Sequence, residues 1–479
     1  MSTQEPKRPP FSADTLGMSE SEMRALGYQM VDKVVDRLLN RANEPAIQTG
    51  ETGQLRDLLG GPVPEKPGKA EDVIQLLSDS VLTNMQHGDH PRYFARVPGP
   101  SSFAAVLGEW FATGFNVNVA SWVGSSGPAT LELVVCDWLR QLMGMPDQTE
   151  GVIVSGGSMA SFTAMAAART ERGPGVVYLS DQTHACIRRG LLAMGFLPAD
   201  LRVIPTDNEY RMSVGELSMA VLEDRSADRL PMMVVATAGT TNTGAVDPLP
   251  EIADLCLATG MWLHVDGAYG APAYLCPEGE KLLGGMNLAD SLVLDPHKWL
   301  YQPYGAGCTL VRHPGLLADT FAINPEYLRD VGGEDDQVNF FDRSLELTRQ
   351  ARAIRLWTTF RTYGVTRIRE SIQKCVRLAE YAQERILESP QTWELITPAQ
   401  LGILTFRLRQ AGDPATGIPS IHNQLATRLA ETGFAAVSST SLRGRDVLRL
   451  CIINPLTTED DIDETLTRLA SLIPLLNSC

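Results

Sequence analysis

No stretch of this sequence reaches the roughly 18 uninterrupted apolar residues that a membrane-spanning helix requires. An excess of positive charge is missing too: 41 basic residues stand against 57 acidic ones, a net charge of −16. That sign argues against duplex nucleic acid or an anionic membrane as a partner, while leaving a small anion in a local pocket open. Cysteine is sparse, with eight scattered residues and no Cys-x-x-Cys pair, which suggests neither a zinc site nor a disulfide framework. The opening Met1-Ser-Thr-Gln-Glu-Pro-Lys-Arg-Pro-Pro10 has no apolar signal-peptide core behind it, so reduced thiols in a cytoplasm are the expectation. Internal repeats, low-complexity tracts, Gly-x-Gly-x-x-Gly and the Walker loop are also absent, so dinucleotides and triphosphates are not indicated.

What is present is a soluble globular balance, 44% hydrophobic and 20% charged, over 479 residues, too long for one ordinary core. Apolar residues from Met23 to Leu39 recur at helical spacing and predict an amphipathic helix over 19–42, with Ser19 or Ser21 near its cap. Gly60 to Gly68 is a connector, and a second helix is expected from about Ala70 to Met85. Between about 145 and 312, short apolar runs (175–179, 232–237, 261–265 and 291–294) alternate with helical patterns. This is the pattern of a mainly parallel sheet buried on both faces. A helical stretch from Leu345 to Thr362 leads into a last section, 366–479. There a helix over 366–389, strands at 402–406 and 447–452, and a helix from Thr458 stopped before Pro474 are expected.

Polar or small residues end each of the buried strand candidates, where open α/β sheets hold ligands. Lys298, in Asp295-Pro-His-Lys-Trp299, follows one such strand; a lysine so placed is a candidate for covalent chemistry or an ordinary surface residue. Asp266, in His264-Val-Asp-Gly-Ala-Tyr-Gly270, is a strand-end carboxylate suited to a protonated ring nitrogen, to a turn cap or to a metal. Val154-Ser-Gly-Gly-Ser158 opens a helix whose free N–H groups suit a phosphate. His184 and Thr237 each follow a strand, and either is readable as a site residue or as routine hydrogen bonding.

In this order, Ser-Gly-Gly-Ser, Ser-Asp-Gln-Thr-His, Ala-Thr-Ala-Gly-Thr-Thr, His-Val-Asp-Gly-Ala-Tyr-Gly and Asp-Pro-His-Lys-Trp resemble the group II pyridoxal-phosphate decarboxylases. The pattern is most similar to the aromatic-L-amino-acid branch, and the resemblance spans nearly the whole chain, from Leu26–Asp32 through His90–Ala95 to Val447–Pro455. It implies the fold type I (aspartate aminotransferase-like) α/β architecture: a large, mainly parallel seven-stranded-type sheet domain and a small C-terminal α+β domain. The implied sections are an N-terminal helical segment on the dimer partner (1–89), a cofactor domain (90–365) and a C-terminal domain (366–479).

The resemblance also implies roles. Lys298 would form the Schiff base with pyridoxal 5′-phosphate, Asp266 would partner the pyridine nitrogen, and His184 would stack on the ring and contact the substrate carboxylate. Gly157 and Ser158 would bind phosphate with His297 nearby, and Thr237 would line the cofactor. Tyr327, with His184 as helper, would return a proton to Cα after carbon dioxide leaves, beside the loop 331–337. Pro98 and Gly99 would line the substrate pocket. Two departures stand out: the aromatic-amino-acid branch usually has asparagine where Asp295 stands, and Gly99-Pro100 replaces the threonine and alanine expected from the animal aromatic enzymes. An amino-acid decarboxylase acting as a homodimer is therefore expected, aromatic side chains first. An aldehyde synthase, an aminotransferase and a non-catalytic scaffold are the rivals.

Overall fold

A computed structural model describes residues 16–323, 326, 337–409 and 420–476. Seven strands form the principal sheet: β1 (Glu150–Val154), β2 (Val176–Ser180), β3 (Leu201–Ile204), β4 (Pro231–Thr237), β5 (Trp262–Asp266), β6 (Ser291–Leu294) and β7 (Gly307–Val311). Their order is β1-β7-β6-β5-β4-β2-β3, with β7 antiparallel to both neighbours and the run from β6 to β3 parallel. Every residue of β2, β4, β5, β6 and β7 is buried, because helices cover both faces of the sheet. The expected apolar runs are thus the strands, shifted by a residue or less at most ends.

Register puts the chemistry at one edge. Thr237 at the end of β4 pairs with Asp266 at the end of β5, and Asp266 pairs with Val293 of β6, two residues before Asp295. On the far side of β6, Leu294 faces Cys308 of β7, and Gly307 faces Val154 at the end of β1. The loops after β1, β4, β5 and β6 therefore open together, where parallel α/β sheets bind ligands.

A fully buried ion pair fixes the β1 side of this edge. Arg349 Nη2 lies 2.6 Å from Glu132 Oε1 and also donates to the carbonyl of Ile153, while Glu132 accepts the Ile153 N–H at 3.0 Å. This pair also explains a departure from expectation. The stretch from Leu345 is not helical until Ala353, because the Arg349 backbone N–H donates to Asn118 and its carbonyl accepts from Val119. The helix then runs to Leu387, joining two expected helices across Gly364 (φ +70°), a conformation that glycine adopts without strain.

The second sheet is antiparallel: β8 (Trp393–Gln400), β9 (Ile403–Leu408), β10 (Ser438–Leu442) and β11 (Arg445–Cys451), in the order β10-β11-β9-β8. Leu404, Phe406, Leu448 and Leu450 pack it against the helices Ile421–Glu431 and Glu459–Leu476. The last helix passes the expected stop, with Pro474 inside its final turn, where a proline removes only one backbone bond near a terminus.

At the other end of the chain, the helix Glu20–Asn40 begins at Ser19 with a capping box, as the spacing predicts. None of its residues is buried, nor is any in Thr52–Leu59 or Ala70–Leu76. The helix expected over 70–85 ends early, at Leu76, and continues as a wider turn over Leu77–Val81. Arg37 ties this segment down through two bonds to Asp89.

Candidate active site

The loops at the open edge enclose a cavity of about 410 Å³. One wall is the N-terminus of the helix Gly157–Arg172, which has no side-chain cap and no acidic residue in its first turn. Its N–H groups and dipole favour an anion there. Little room is left around it for further side chains. A Cβ on Gly157 would lie 2.5 Å from Asp295 Oδ2, and one on Gly307 would lie 2.4 Å from the Gly156 carbonyl carbon. Gly156 itself adopts φ +147°.

Asp266 forms the floor at the end of β5; it is buried and accepts the Ala268 N–H at 3.1 Å. Behind it on the same strand face, His264 Nδ1 lies 2.9 Å from Ser291 Oγ. Burial pushes the His264 imidazole down to about 4, although Asp266 opposes this, so the ring is neutral near pH 7. Thr237 is held by its N–H, which donates to Asp247 at 2.7 Å. Its hydroxyl oxygen is buried without a hydrogen-bond partner among the described residues, and an unsatisfied polar atom lining a cavity fits a ligand that completes it. His184 caps the helix Ala185–Ala193, with Nδ1 accepting the Cys186 N–H at 3.3 Å. That bond occupies Nδ1 and leaves Nε2 as the nitrogen open to a further partner on a residue that lines the cavity.

Lys298 stands opposite, on the single turn Pro296–Trp299 that follows β6. Its backbone N–H donates to the Asp295 carbonyl at 2.9 Å, and the next residue, Trp299, stacks flat on Tyr269 with centroids 5.3 Å apart. This fixes the base of a side chain whose head lies 2.8 Å from Asp295 Oδ2. Burial disfavours the ammonium, but Asp295 and, further off, Asp266 more than compensate and hold it above the ordinary lysine value. His297 turns its ring toward Gly156, with Nδ1 2.6 Å from the Ala306 carbonyl oxygen; burial lowers its pKa.

Gly157, Ser158, His184, Thr237, Asp266, His297 and Lys298, separate in sequence, therefore line one cavity. Pro98 and Gly99 do not line it. They are buried behind the lysine turn, where a Cβ on Gly99 would lie 2.9 Å from the His297 carbonyl oxygen and 2.8 Å from the Tyr304 ring. Tyr327 and residues 331–336 lie outside the described residues. Sequence reasoning missed Cys186 and Tyr269 in the lining and gave Asp295 no role. Asp295 stood three residues before Lys298 at the start of a turn, a spacing that brings two side chains to one face.

A glycine cradle at a helix N-terminus, an unsatisfied threonine hydroxyl, a buried carboxylate and an amine fit a phosphorylated ring cofactor such as pyridoxal phosphate. Residues 52–409 match the family model described as the pyridoxal-dependent decarboxylase conserved domain. The chain belongs to this family and is a pyridoxal-phosphate-dependent amino-acid decarboxylase. It is 40% identical over 467 residues to an aromatic-L-amino-acid decarboxylase of Bacillus atrophaeus, covering 96% of this chain and 97% of that one. A phenylacetaldehyde synthase of Arabidopsis thaliana is 30% identical, over 93% and 95% of the two chains. Among solved structures, Oryza sativa TDC with PLP and tryptamine superposes with a TM-score of 0.89 at 28% identity, covering 96% of this chain and all of that one.

Proposed function

We propose that this enzyme decarboxylates aromatic L-amino acids to the corresponding amines. The observation that carries the reading is the meeting of Thr237, Asp266 and Lys298, from the ends of three neighbouring strands, opposite the uncapped helix at Gly157. The 40% identity to an aromatic-L-amino-acid decarboxylase supports the choice of side chain.

Bound pyridoxal phosphate supplies the electron sink that lets the substrate carboxylate depart as carbon dioxide. Lys298 would hold that cofactor through its amine. Gly157 and Ser158 would offer backbone N–H groups to its phosphate, with His297 beside them. Asp266 would pair with its ring nitrogen, and neutral His264 behind it provides no cation to compete for the carboxylate. Thr237 would turn its unsatisfied hydroxyl to the cofactor. His184 would lie against the ring and serve the substrate carboxylate, and Tyr327 would supply the proton to Cα. Pro98 and Gly99, packed behind the lysine turn, would bound the substrate pocket from that side.

The working form in this reading is a cytoplasmic homodimer. The N-terminal segment (1–89) buries its apolar residues on the second copy and flanks a cofactor domain (90–365) and a small domain (366–479). Leu39, 77% exposed, and Phe115, 78% exposed, are among the residues in need of cover. The cysteines within the described residues are all free thiols, in keeping with a reducing compartment.

The test is a panel of L-amino acids, including tyrosine, tryptophan, phenylalanine, glutamate and histidine, given to purified protein loaded with pyridoxal phosphate. Carbon dioxide and amine in equal amounts from the aromatic substrates are expected. Aldehyde, peroxide and ammonia would select an aldehyde synthase instead, and preference for glutamate or histidine would overturn the substrate class.

A further inference from the structure

Asp295 is the buried charge in the cavity that the reading above does not use. Its side chain is 3% exposed, Oδ2 meets Lys298 Nζ at 2.8 Å, and Oδ1 is buried with no hydrogen-bond partner among the described residues. The carboxylate also abuts the first residue of the phosphate-facing helix, close enough to forbid a Cβ on Gly157. Among the described residues the groups around it are few. His297 Nε2 lies 3.8 Å from Oδ2 on the same turn, Asp266 faces Lys298 from β5, and Cys186 faces it from the helix Ala185–Ala193. The first turn of the helix at Gly157 brings no charged side chain. Burial lowers His297 and pushes the Cys186 thiol up to about 12, so neither contributes charge near pH 7. Two carboxyl groups thus face one ammonium.

An ammonium has no lone pair with which to attack an aldehyde. Burial alone would favour the free amine; the neighbouring Asp295 reverses that preference. A phosphate entering the cradle at Gly157 brings more negative charge toward the same carboxylate.

We propose that Asp295 is a positioning residue for cofactor loading, which holds Lys298 docked in the cofactor-free chain and must release it before capture. This rests on the reading of Lys298 as the cofactor lysine. Capture requires one proton to pass from the ammonium to solvent. The amine nitrogen then forms a C=N bond with the cofactor aldehyde, and water leaves with the aldehyde oxygen and the two amine hydrogens. Asp295 opposes the first step by pairing and opposes phosphate entry by repulsion, so its removal accelerates loading on both counts.

The experiment mixes cofactor-free protein with pyridoxal 5′-phosphate in a stopped-flow spectrophotometer between about pH 6 and pH 10. The wild-type rate should rise across that range. Asp295→Asn should load at least about tenfold faster at pH 7, with its pH profile displaced downward, and Asp295→Glu should keep the wild-type profile. A coincident profile or slower loading in Asp295→Asn overturns the proposal. A second measurement needs no variant: trace acetylation of cofactor-free wild type with acetic anhydride, quantified at Lys298 by peptide mass spectrometry. Reactivity should still climb above about pH 10, and levelling off below about pH 9 would contradict the docked ammonium. Wild type that takes up no cofactor at any pH would remove the reading of Lys298 itself, whereas normal uptake with coincident profiles removes only the role of Asp295.

Discussion

The open edge of the large sheet and the N-terminal helices are built on opposite terms. At the sheet edge, strands buried on both faces end in Thr237 and Asp266 and lead into the turn that bears Lys298, and a buried Arg349–Glu132 pair braces the strand leading to Gly157. In the N-terminal segment, three helices bury no residue at all and hold on through polar contacts such as Arg37 with Asp89. The contrast teaches that one chain brings the described cavity lining together, while the N-terminal helices leave apolar residues such as Leu39 exposed.

Breaking the sheet edge should have the largest effects. Lys298→Ala should abolish the cofactor chromophore and lower kcat/KM by at least about a thousandfold, as read by absorbance and amine formation. Asp266→Asn removes the carboxyl group proposed to partner the cofactor's ring nitrogen and should reduce kcat by about 10²–10³ with the fold intact. Arg349→Met strands Glu132 in a dry interior and should cost about 3–5 kcal/mol in denaturant unfolding, because breaking a buried pair leaves an uncompensated charge.

The N-terminal segment should respond differently. Tyr28→Asp, on an exposed helix face, should leave the unfolding of the sheet domain unchanged but weaken self-association by about tenfold or more, measured by sedimentation. Loss of association without loss of fold would sharpen the contrast; an unaltered oligomeric state would break it. Arg24→Ala, which removes only an exposed pair with Glu20, should cost less than about 1 kcal/mol.

Acid should act through the buried interior. Burial pushes His90, His264 and His422 each down to about 4. Their stabilisation is fully present above the unfolded histidine value of about 6.5 and is lost as pH falls toward 4. Asp247 works the other way, since burial raises it to about 6 and its protonation favours the folded state as pH falls. Thermal unfolding should therefore shift to lower temperature between pH 7 and pH 4.5, and Asp247→Asn should steepen that fall. A shallower slope in the variant would contradict the assignment.

The strands were legible because a strand buried on both faces must be a short, continuous apolar run bounded by small or polar residues. Asp266 and Lys298 were legible for a related reason, since Asp266 ends such a run and Lys298 follows another by one short turn. The start of the long helix at Ala353 was not, because Arg349 looks like any helical arginine until Glu132, 217 residues away, pairs with it. The partnership of Asp295 with Lys298 was only half hidden: their three-residue spacing suits a shared face, but the burial that leaves Asp295 pairing with the lysine head comes from tertiary packing. Pro98 and Gly99 show the same limit, since only tertiary packing puts them behind His297 rather than in the cavity. Propensity reads local backbone; long-range burial decides where side chains go.

The central claim is that this edge binds pyridoxal phosphate through Lys298. Borohydride reduction of the cofactor-loaded protein, followed by digestion and mass spectrometry, tests it directly. The account predicts a phosphopyridoxyl group on the peptide containing Lys298. The same group on another lysine, or on none, would contradict it.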